Sequence, residues 1–540
     1  MTDVHHELSD ERTPLLSTAR DNRTDALSAR NQNFKLYVSV MLAAFVVVIN
    51  FGEIIQLAPQ TRVMESIYCR EYYKEVDPSL IDEHGNVPER YCKIDPVQSN
   101  VAYLIGGVWF FQFLPGLFLA LPYGALADKY GRKWILALNA IVAFLQNIAV
   151  YIILAYPHIF PLQLIWLVSV GAVFGGGNVV ITALVFAIIA DVFTEAERTN
   201  VFFWLVSAYL LPDVFAPFLS SFLMRWSPWL PMSIGVASYM IPVIIAIMLP
   251  ETLSILEEKL GHTKHMLNEI QGDDTPAEDS NEEHNTWTHW ARRGLNWIYD
   301  SVYFAFTDLR VAFLLGAFVI YTQGLISIRM VLQYISTRYH WTYAQAQVLR
   351  SVQATIKIVV NLAVLPPLSK WLMEKRNLSS KSKDLYMARA CFICYCLSWF
   401  VEAIAPNVII ATLGLAIYAL GNAGSALIRS LATSLVEPHH IGRLYGLISI
   451  MESIGLMLWG PWLAFLFHAG MKMGGGWIGL PYLISSLFYG IAVLGLFFLR
   501  LRPGEVGDRD RGDEEGRGEV SSSSPATSTT IVVEQQQHIS

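Results

Sequence analysis

The chain has 540 residues, of which 54% are apolar and 15% charged, and its mean hydropathy is +0.40. Soluble domains carry roughly 25% charged residues, so this composition excludes a protein whose whole surface faces water. The net charge of −7 comes without a basic stripe along the chain, which argues against a nucleic-acid partner.

The first segment is polar, and we expect residues 1–34 to form a disordered cytoplasmic tail. Within it, Glu11, Leu15 and Leu16 follow the pattern of an acidic dileucine sorting signal. Such a signal would bind a sorting adaptor and route the protein to a vacuolar or endosomal membrane. Short patterns of this kind also arise by chance in disordered tails, so both interpretations stay open.

Twelve apolar runs follow, each long enough for a helix of about 20 residues that crosses the hydrocarbon core. The first six lie at about 36–58, 99–123, 134–155, 161–190, 199–223 and 229–249. The second six lie at about 308–334, 344–368, 386–405, 408–436, 443–468 and 477–499. We therefore predict an all-α membrane protein with twelve transmembrane helices in two six-helix halves.

The runs also divide the chain. We predict an N-terminal half at residues 35–250 and a C-terminal half at residues 304–500. The segment between them, residues 251–303, includes an acidic, apolar-poor stretch at 272–284 and is predicted to be a cytoplasmic connector. Residues 501–540 are expected to form a second disordered cytoplasmic tail.

Basic residues beside the helix ends indicate how the helices are oriented. They crowd the link between the second and third runs, at Lys129, Arg132 and Lys133, and the link between the eighth and ninth runs, at 370–389. Both links, both tails and the connector are therefore predicted to face the cytoplasm. We expect a multi-pass protein of the plasma membrane or the vacuolar membrane.

The long link after the first run, residues 60–96, then faces the cell exterior or an organelle lumen. Because these compartments are oxidising, we predict a disulfide between its cysteines, Cys69 and Cys92, with two free thiols as the alternative. The other three cysteines lie in one apolar run without a histidine nearby, so the sequence predicts no metal site.

A cationic turn with two glycines follows the second run, and it reads Gly124-Ala-Leu-Ala-Asp128-Lys-Tyr-Gly131-Arg132-Lys133. The glycines would let two helix ends approach closely. Asp128 would pair with Arg132 or cap the N-terminus of a neighbouring helix. This run resembles the Gly-x-Leu-Ala-Asp-x-x-Gly-Arg-Lys signature of the major facilitator superfamily, which occupies the same loop.

An internal repeat agrees with that resemblance. The fourth run ends at Asp191 and Arg198 opens the fifth, while the tenth run ends at Glu437 and Arg443 opens the eleventh. The superfamily fold implies parallel halves of this kind, related about an axis along the membrane normal. The resemblance also implies a transporter without a cofactor, and not an enzyme. The cysteine-bounded loop and the tail pattern make the chain most similar to uncharacterised fungal members that are linked to secondary-metabolite export.

Ionisable residues inside apolar runs are costly, and we treat them as functional hypotheses. Glu53 and Arg329 lie at equivalent depths of the first and seventh runs, so we predict that they meet and close an outer gate. Asp213, Glu452 and Glu53 are the candidate proton carriers, because a buried carboxylate takes up a proton more readily than an exposed one. The alternative for each residue is a contact that only fixes helix packing.

The resemblance implies that the first, fourth, seventh and tenth helices line a central cavity. Lys357 and Arg429 would make this cavity cationic, which favours solutes that carry a carboxylate or a similar anion. Neutral candidates for the cavity wall are the amide side chains of Gln323, Asn178, Asn361 and Asn422.

Together these features predict a secondary active transporter of a small organic solute, coupled to protons, that works by alternating access and exports or sequesters a metabolite. Its partners would be the solute, protons and membrane lipids. The alternatives are a non-transporting receptor or sensor on the same fold, and an importer of an organic anion. No Gly-x-x-x-x-Gly-Lys-Ser/Thr run is found, which argues against an ATP-driven pump.

Overall fold

The computed structural model of the chain describes residues 12–83, 85–193, 195–252, 308–376, 379–436 and 441–499. In these ranges the structure is helical, and eleven helices are long and apolar enough to cross a membrane. The twelfth, Glu195–Leu223, has 29 residues, of which Ser207–Leu223 form its apolar part. The prediction of an all-α fold with twelve membrane helices is confirmed.

We number the membrane helices in chain order. The N-terminal half contains α1 (Arg12–Val76), α2 (Asp95–Tyr130), α3 (Arg132–Ala155), α4 (Leu164–Val192), α5 (Glu195–Leu223) and α6 (Trp229–Met248). The C-terminal half contains α7 (Leu309–Tyr339), α8 (Tyr343–Lys375), α9 (Ser380–Ile404), α10 (Val408–Ser434), α11 (Ile441–Met473) and α12 (Leu480–Phe498).

Helix α1 is longer than the sequence predicts at both ends. It begins at Arg12, inside the predicted disordered tail, and it continues to Val76, where a loop is predicted from residue 60. Pro14 lies in the first turn, where a missing N–H removes no helical hydrogen bond. The helix ends before Asp77, because the next residue, Pro78, disfavours helical backbone at the position before it.

Several predicted features fall outside the described residues. These include residues 253–307, which form most of the predicted connector, and residues 500–540, which cover the predicted C-terminal tail. Glu11 and the side chains of Leu15 and Leu16 lie outside them as well. The sorting signal and the extent of these segments therefore stay predictions.

The two ends of the bundle differ in character. Cys69 lies in the last turns of α1 and Cys92 lies just before α2, at what we call the disulfide end. Gly131 follows α2, which has 36 residues and is therefore about 54 Å long. The signature turn thus lies at the opposite end, which we call the cationic end.

The halves pack directly against each other along two seams, α2 against α11 and α5 against α8. Gly106 and Gly460 bring the first pair close, because a Cβ atom on Gly106 would lie 2.9 Å from the carbonyl oxygen of Gly460. Close seams of this kind allow side chains of one half to reach partners in the other half.

Candidate functional site

An ion pair joins the halves between α1 and α7. Arg329 Nη1 lies 2.6 Å from Glu53 Oε1, and the two side chains are 28% and 27% exposed. The guanidinium also lies over the ring of Trp109 on α2, 4.4 Å from its centroid. The structure therefore brings together the two residues that the sequence assigns to an outer gate.

A second ion pair joins the halves between α5 and α8. Lys357 Nζ lies 3.6 Å from Asp213 Oδ2, and both side chains are about four-fifths buried. The sequence analysis expects Lys357 to give the cavity a positive charge, and in the structure a carboxylate lies beside it. The pairing depends on the seam between the halves, which brings a carboxylate from the other half to Lys357.

Arg350 is a charged residue of the same region that the sequence reasoning missed. It lies seven residues before Lys357 on α8, so the two share a helix face, and it interacts electrostatically with Asp213 and Lys357. Its Nη1 donates to the carbonyl oxygen of Ile328, 3.0 Å away. Among the described residues no carboxylate lies within ion-pair distance of Arg350. The seven-residue spacing was the signal that could have found it.

A third ion pair lies within the C-terminal half. Arg429 Nη2 of α10 lies 2.7 Å from Glu452 Oε1 of α11. The guanidinium also lies 5.6 Å from the ring centroid of Phe318 on α7. Like Lys357, Arg429 is therefore not an unpaired cation, and Glu452 is its partner.

The four neutral candidates fall into three different places. Asn422 Nδ2 of α10 lies 3.4 Å from Asn361 Oδ1 of α8. Asn178 lines two cavities whose walls come from the N-terminal half, with Arg329 of α7 added in one of them. Gln323 is buried, bonds to Ser327 and Ser485 on α7 and α12, and lines none of the three cavities described below. These serines hold its amide within the core of the C-terminal half.

The cavities beside Asn178 have volumes of about 190 Å³ and 330 Å³. They share the side chains of Ile49, Glu53, Asn178 and Ile181. A larger cavity of about 810 Å³ lies at the disulfide end, between the helix links and the start of α8. None of the three ion pairs lines this larger cavity, so we do not place the central solute site there.

The disulfide end contains a buried charged network that the sequence reasoning missed. Glu65 is fully buried and accepts from Lys93, whose Nζ lies 2.6 Å from its Oε1. Lys93 also reaches Glu89 at 3.0 Å, and Glu89 accepts the backbone N–H of Tyr343 on α8 at 2.9 Å. The network therefore ties the segment after α1 to the other half. The sequence feature that could have predicted this network is the large number of acidic and basic residues in a link that also contains two cysteines.

The disulfide bond lies beside this network. Cys69 and Cys92 are fully buried, and their sulfurs are bonded at 2.13 Å. The bond closes a segment with a sequence separation of 23 and thereby fixes the position of Glu89 and Lys93 next to α1.

Replacing both Cys69 and Cys92 with serine should lower the free energy of unfolding by about 3 kcal/mol, because the unfolded chain loses a cross-link of this loop length. Thermal unfolding of the purified protein, with and without a reductant, measures the effect. Cys394→Ser is the control, because Cys394 is a free thiol in the structure. A reductant that leaves the melting temperature of the native protein unchanged would contradict the prediction.

The signature turn is built around Gly131 and Arg132. Gly131 has φ = 100°, a conformation that favours glycine, and Arg132 Nη1 lies 2.5 Å from Asp191 of α4. Glu251 accepts the backbone N–H of Arg132 at 3.1 Å. Asp128 lies 3.7 Å from Arg132 and is mostly exposed, so Asp191 is the closer partner.

The other residues of the turn have smaller roles in the structure. A Cβ atom on Gly124 would have no neighbour within 4 Å, so the expected close approach of helix ends does not occur at this glycine. Lys133 Nζ lies 5.3 Å from the ring centroid of the adjacent Trp134. Within the signature, Gly131 and Arg132 therefore make the contacts that hold the turn in place.

Gly131→Ala should destabilise the protein by about 1–3 kcal/mol, the usual cost of a strained backbone position. Its Cβ atom would also clash with Glu251 Oε2 and displace that carboxylate from the Arg132 N–H. Gly124→Ala is the matched control, and it should be neutral or slightly stabilising because alanine favours helix. Equal melting temperatures for the two variants would refute this interpretation of the turn.

Comparisons with known proteins agree with this geometry. The sequence matches the family model described as the Major Facilitator Superfamily over residues 40–461. A protein of Emericella nidulans described as the MFS efflux pump atnC is 31% identical, over 85% of this chain and 86% of its own length. A protein of Aspergillus flavus described as the efflux pump ustT is 27% identical, over 88% of this chain and 92% of its own.

Solved structures share the fold. The xylose transporter XylE from E. coli, in a partially occluded inward-open conformation, has a TM-score of 0.55 at 13% identity and covers 87% of this chain and 99% of its own. The nucleoside transporter NupG has a TM-score of 0.52 at 12% identity, over 86% and 98%. Similarity at these identities shows the fold alone. The family model and the relative above 30% identity decide the family. The chain therefore belongs to the major facilitator superfamily and is a multi-pass membrane transporter, not an enzyme.

Proposed function

We propose that the chain is a secondary active exporter of a small organic solute that works by alternating access. The observation that carries the proposal is the Glu53–Arg329 ion pair, which joins equivalent helices of the two halves. Efflux-pump relatives at 31% and 27% identity support export as the direction.

In this proposal the structure represents a state whose disulfide end is closed. Besides Glu53–Arg329, the side chain of Gln333 on α7 bonds to the carbonyl oxygen of Gln98 on α2 at 2.7 Å. His468 on α11 lies 2.8 Å from Ser99 on α2, and Glu89 binds the start of α8. Rigid-body rocking of the halves would break all these contacts at once and open the site towards the disulfide end.

Proton coupling is the second part of the proposal. Each candidate carboxylate has one cation within ion-pair distance: Glu53 pairs with Arg329, Asp213 with Lys357, and Glu452 with Arg429. A proton that binds to the carboxylate removes its charge and weakens the pair. For the first two pairs this would loosen contacts between the halves, and it would link proton binding to the conformational change.

The expectation of an anionic solute loses its original basis. Lys357 and Arg429 are both neutralised by carboxylates, so neither offers a free positive charge to a solute.

Routing to a vacuolar membrane through Glu11, Leu15 and Leu16 stays a hypothesis. Truncation of residues 1–34, followed by localisation of the protein in cells, would test it.

The test of the proposed function is transport by the purified protein in liposomes with an imposed pH gradient. A panel of uncharged, anionic and cationic metabolites should include at least one whose movement depends on the protein and responds to collapse of the gradient. Movement that ignores the gradient would reject proton coupling while retaining transport. If no member of a broad panel moves, a receptor or sensor on the same fold becomes the better interpretation.

A further inference from the structure

Two equivalent helices of the repeat are interrupted within the membrane. In α4 the helix ends at Val170, a 3-10 turn follows, and a new helix begins at Gly177. In α10 the helix ends at Leu420 and restarts at Gly424. Irregular backbone at membrane depth is tolerated where it is buried in protein or lines a cavity, and paired interruptions of this kind indicate a binding site.

The interruption in α4 depends on glycine. Gly176 and Gly177 have φ values of 84° and 67°, which side chains disfavour. Asn139 of α3 donates to the carbonyl oxygens of Gly175 and Gly177. Gln146 of α3 donates to the carbonyl oxygen of Val168 at 2.7 Å. Two amides of α3 thus bond to backbone carbonyl groups on both sides of the break in α4.

The cavity beside this interruption is rich in amides. Seven of the side chains that line the 190 Å³ cavity are asparagine or glutamine. Two of these, Gln112 and Asn178, have no side-chain hydrogen-bond partner in the part of the chain that the structure describes. Asn178 also lines the adjoining 330 Å³ cavity, together with Asn50 and Tyr209.

The charge of the cavities is balanced. Among their lining residues the charged ones are Glu53 and Arg329, which bind each other. A charged solute would lose its hydration without gaining a counter-ion, which is costly. Amides both donate and accept hydrogen bonds, so they match uncharged amide, carbonyl and hydroxyl groups.

We propose that the two adjoining cavities are the solute site and that it binds an uncharged organic molecule through hydrogen bonds to Gln112 and Asn178. This inference rests on the proposed transport function and specifies its substrate class. The larger of these two adjoining cavities has a volume of about 330 Å³, at the small end of the range for ligand pockets, which indicates a small solute. In α10 the equivalent interruption carries Asn422, which contacts Asn361 and extends the amide character into the other half.

The test uses three probes of similar shape and different charge. They are N-acetylphenylalanine amide, which is uncharged, N-acetylphenylalanine, which is an anion, and N,N,N-trimethylphenylalanine amide, which is a cation. Binding to the detergent-purified full chain is measured by equilibrium dialysis with labelled probes. The uncharged probe should bind at least about tenfold more tightly than either ion.

Asn178→Leu and Gln112→Leu should each weaken binding of the uncharged probe by about fivefold to tenfold, the effect of one lost hydrogen bond. Gln163→Leu is the matched control, because Gln163 is an exposed amide before α4 that lines neither cavity. Melting temperatures without probe should stay close to that of the native protein, since neither side-chain amide bonds to another residue that the structure describes.

Preferential binding of the anion or the cation, equal binding of all three probes, or no binding of any would overturn the inference. An equal loss in Gln163→Leu would overturn it too. These outcomes are separable from failure of the proposed function. If the protein binds the uncharged probe but moves no solute in liposomes, the proposed site is retained and the transport proposal fails. If it transports ions alone, the transport proposal is retained and the proposed site for an uncharged solute fails.

Discussion

Glu53→Gln should make the interior of the protein more accessible to water from the disulfide end. The change removes the charge that holds Arg329 across the interface, 2.6 Å away, and leaves the guanidinium partly buried without its partner. A shift of 1.4 kcal/mol in the balance between closed and open states changes the open population about tenfold. Because other contacts also close this end, we expect an increase of about threefold to tenfold.

The measurement is the labelling rate of a cysteine placed below the pair. Ile49 lies one helical turn from Glu53 towards the cationic end and lines both amide-rich cavities. Ile49→Cys is introduced into a protein whose three free cysteines are replaced, and a membrane-impermeant maleimide is added on the disulfide side. Labelling should be slow with Glu53 and faster with glutamine.

The chain provides a matched control on the same helix. Lys35 of α1 pairs with Glu197 of α5 at 2.7 Å, but this ion pair lies within one half. Lys35→Gln should therefore leave the labelling rate unchanged. An equal increase in both variants would show general loosening of α1 and not release of a gate.

Charge reversal separates a gate pair from a simple packing contact. Glu53→Arg should impair transport strongly, because it places two cations together in a partly buried site. Adding Arg329→Glu should restore part of the activity through the swapped pair, which a double-mutant cycle quantifies. No recovery in the double variant would contradict a mutually dependent pair.

The sequence predicted the features that depend on length and repetition. Apolar runs located the helices, and the repeat placed Glu53 and Arg329 at equal depth in helices of opposite halves. Depth along a helix follows from residue count at about 1.5 Å per residue, so this pairing was accessible without a structure. The signature turn was likewise recognisable, although the sequence did not show that Asp191 is the closest partner of Arg132.

The sequence did not predict the features that depend on how each helix is rotated about its own axis. Lys357 and Gln323 both lie deep in apolar runs, but one faces a carboxylate of the other half and the other faces serines of its own half. Counting residues along a helix gives the depth of a side chain in the membrane but not the direction in which it points. Lys357 and Gln323 therefore appeared equivalent in the sequence. The interruption of α4 was missed for a different reason, because a run of glycines in an apolar segment is compatible with continuous helix or with a break.

Asp213→Asn should destabilise the protein much more than Lys357→Met, although the two residues form one ion pair. Asp213 lies 3.6 Å from Lys357 and is also attracted electrostatically to Arg350, which lies beyond ion-pair distance. Removing the carboxylate leaves two buried cations together. Removing Lys357 leaves Asp213 with Arg350, so the remaining charges still balance. We expect losses of about 3 kcal/mol and about 1 kcal/mol, respectively, since an uncompensated buried charge is the costly outcome.

Thermal unfolding of the purified variants measures this asymmetry, and the pair in the C-terminal half is the reference. Arg429 and Glu452 form a pair of one cation and one carboxylate, 2.7 Å apart. Glu452→Gln and Arg429→Met should therefore cost similar amounts. The double variant Asp213→Asn with Lys357→Met should be more stable than Asp213→Asn alone, because it leaves one cation and not two. If Lys357→Met proves as damaging as Asp213→Asn, Arg350 does not share the carboxylate. In that case the site between α5 and α8 is a simple pair with an additional, separately stabilised arginine.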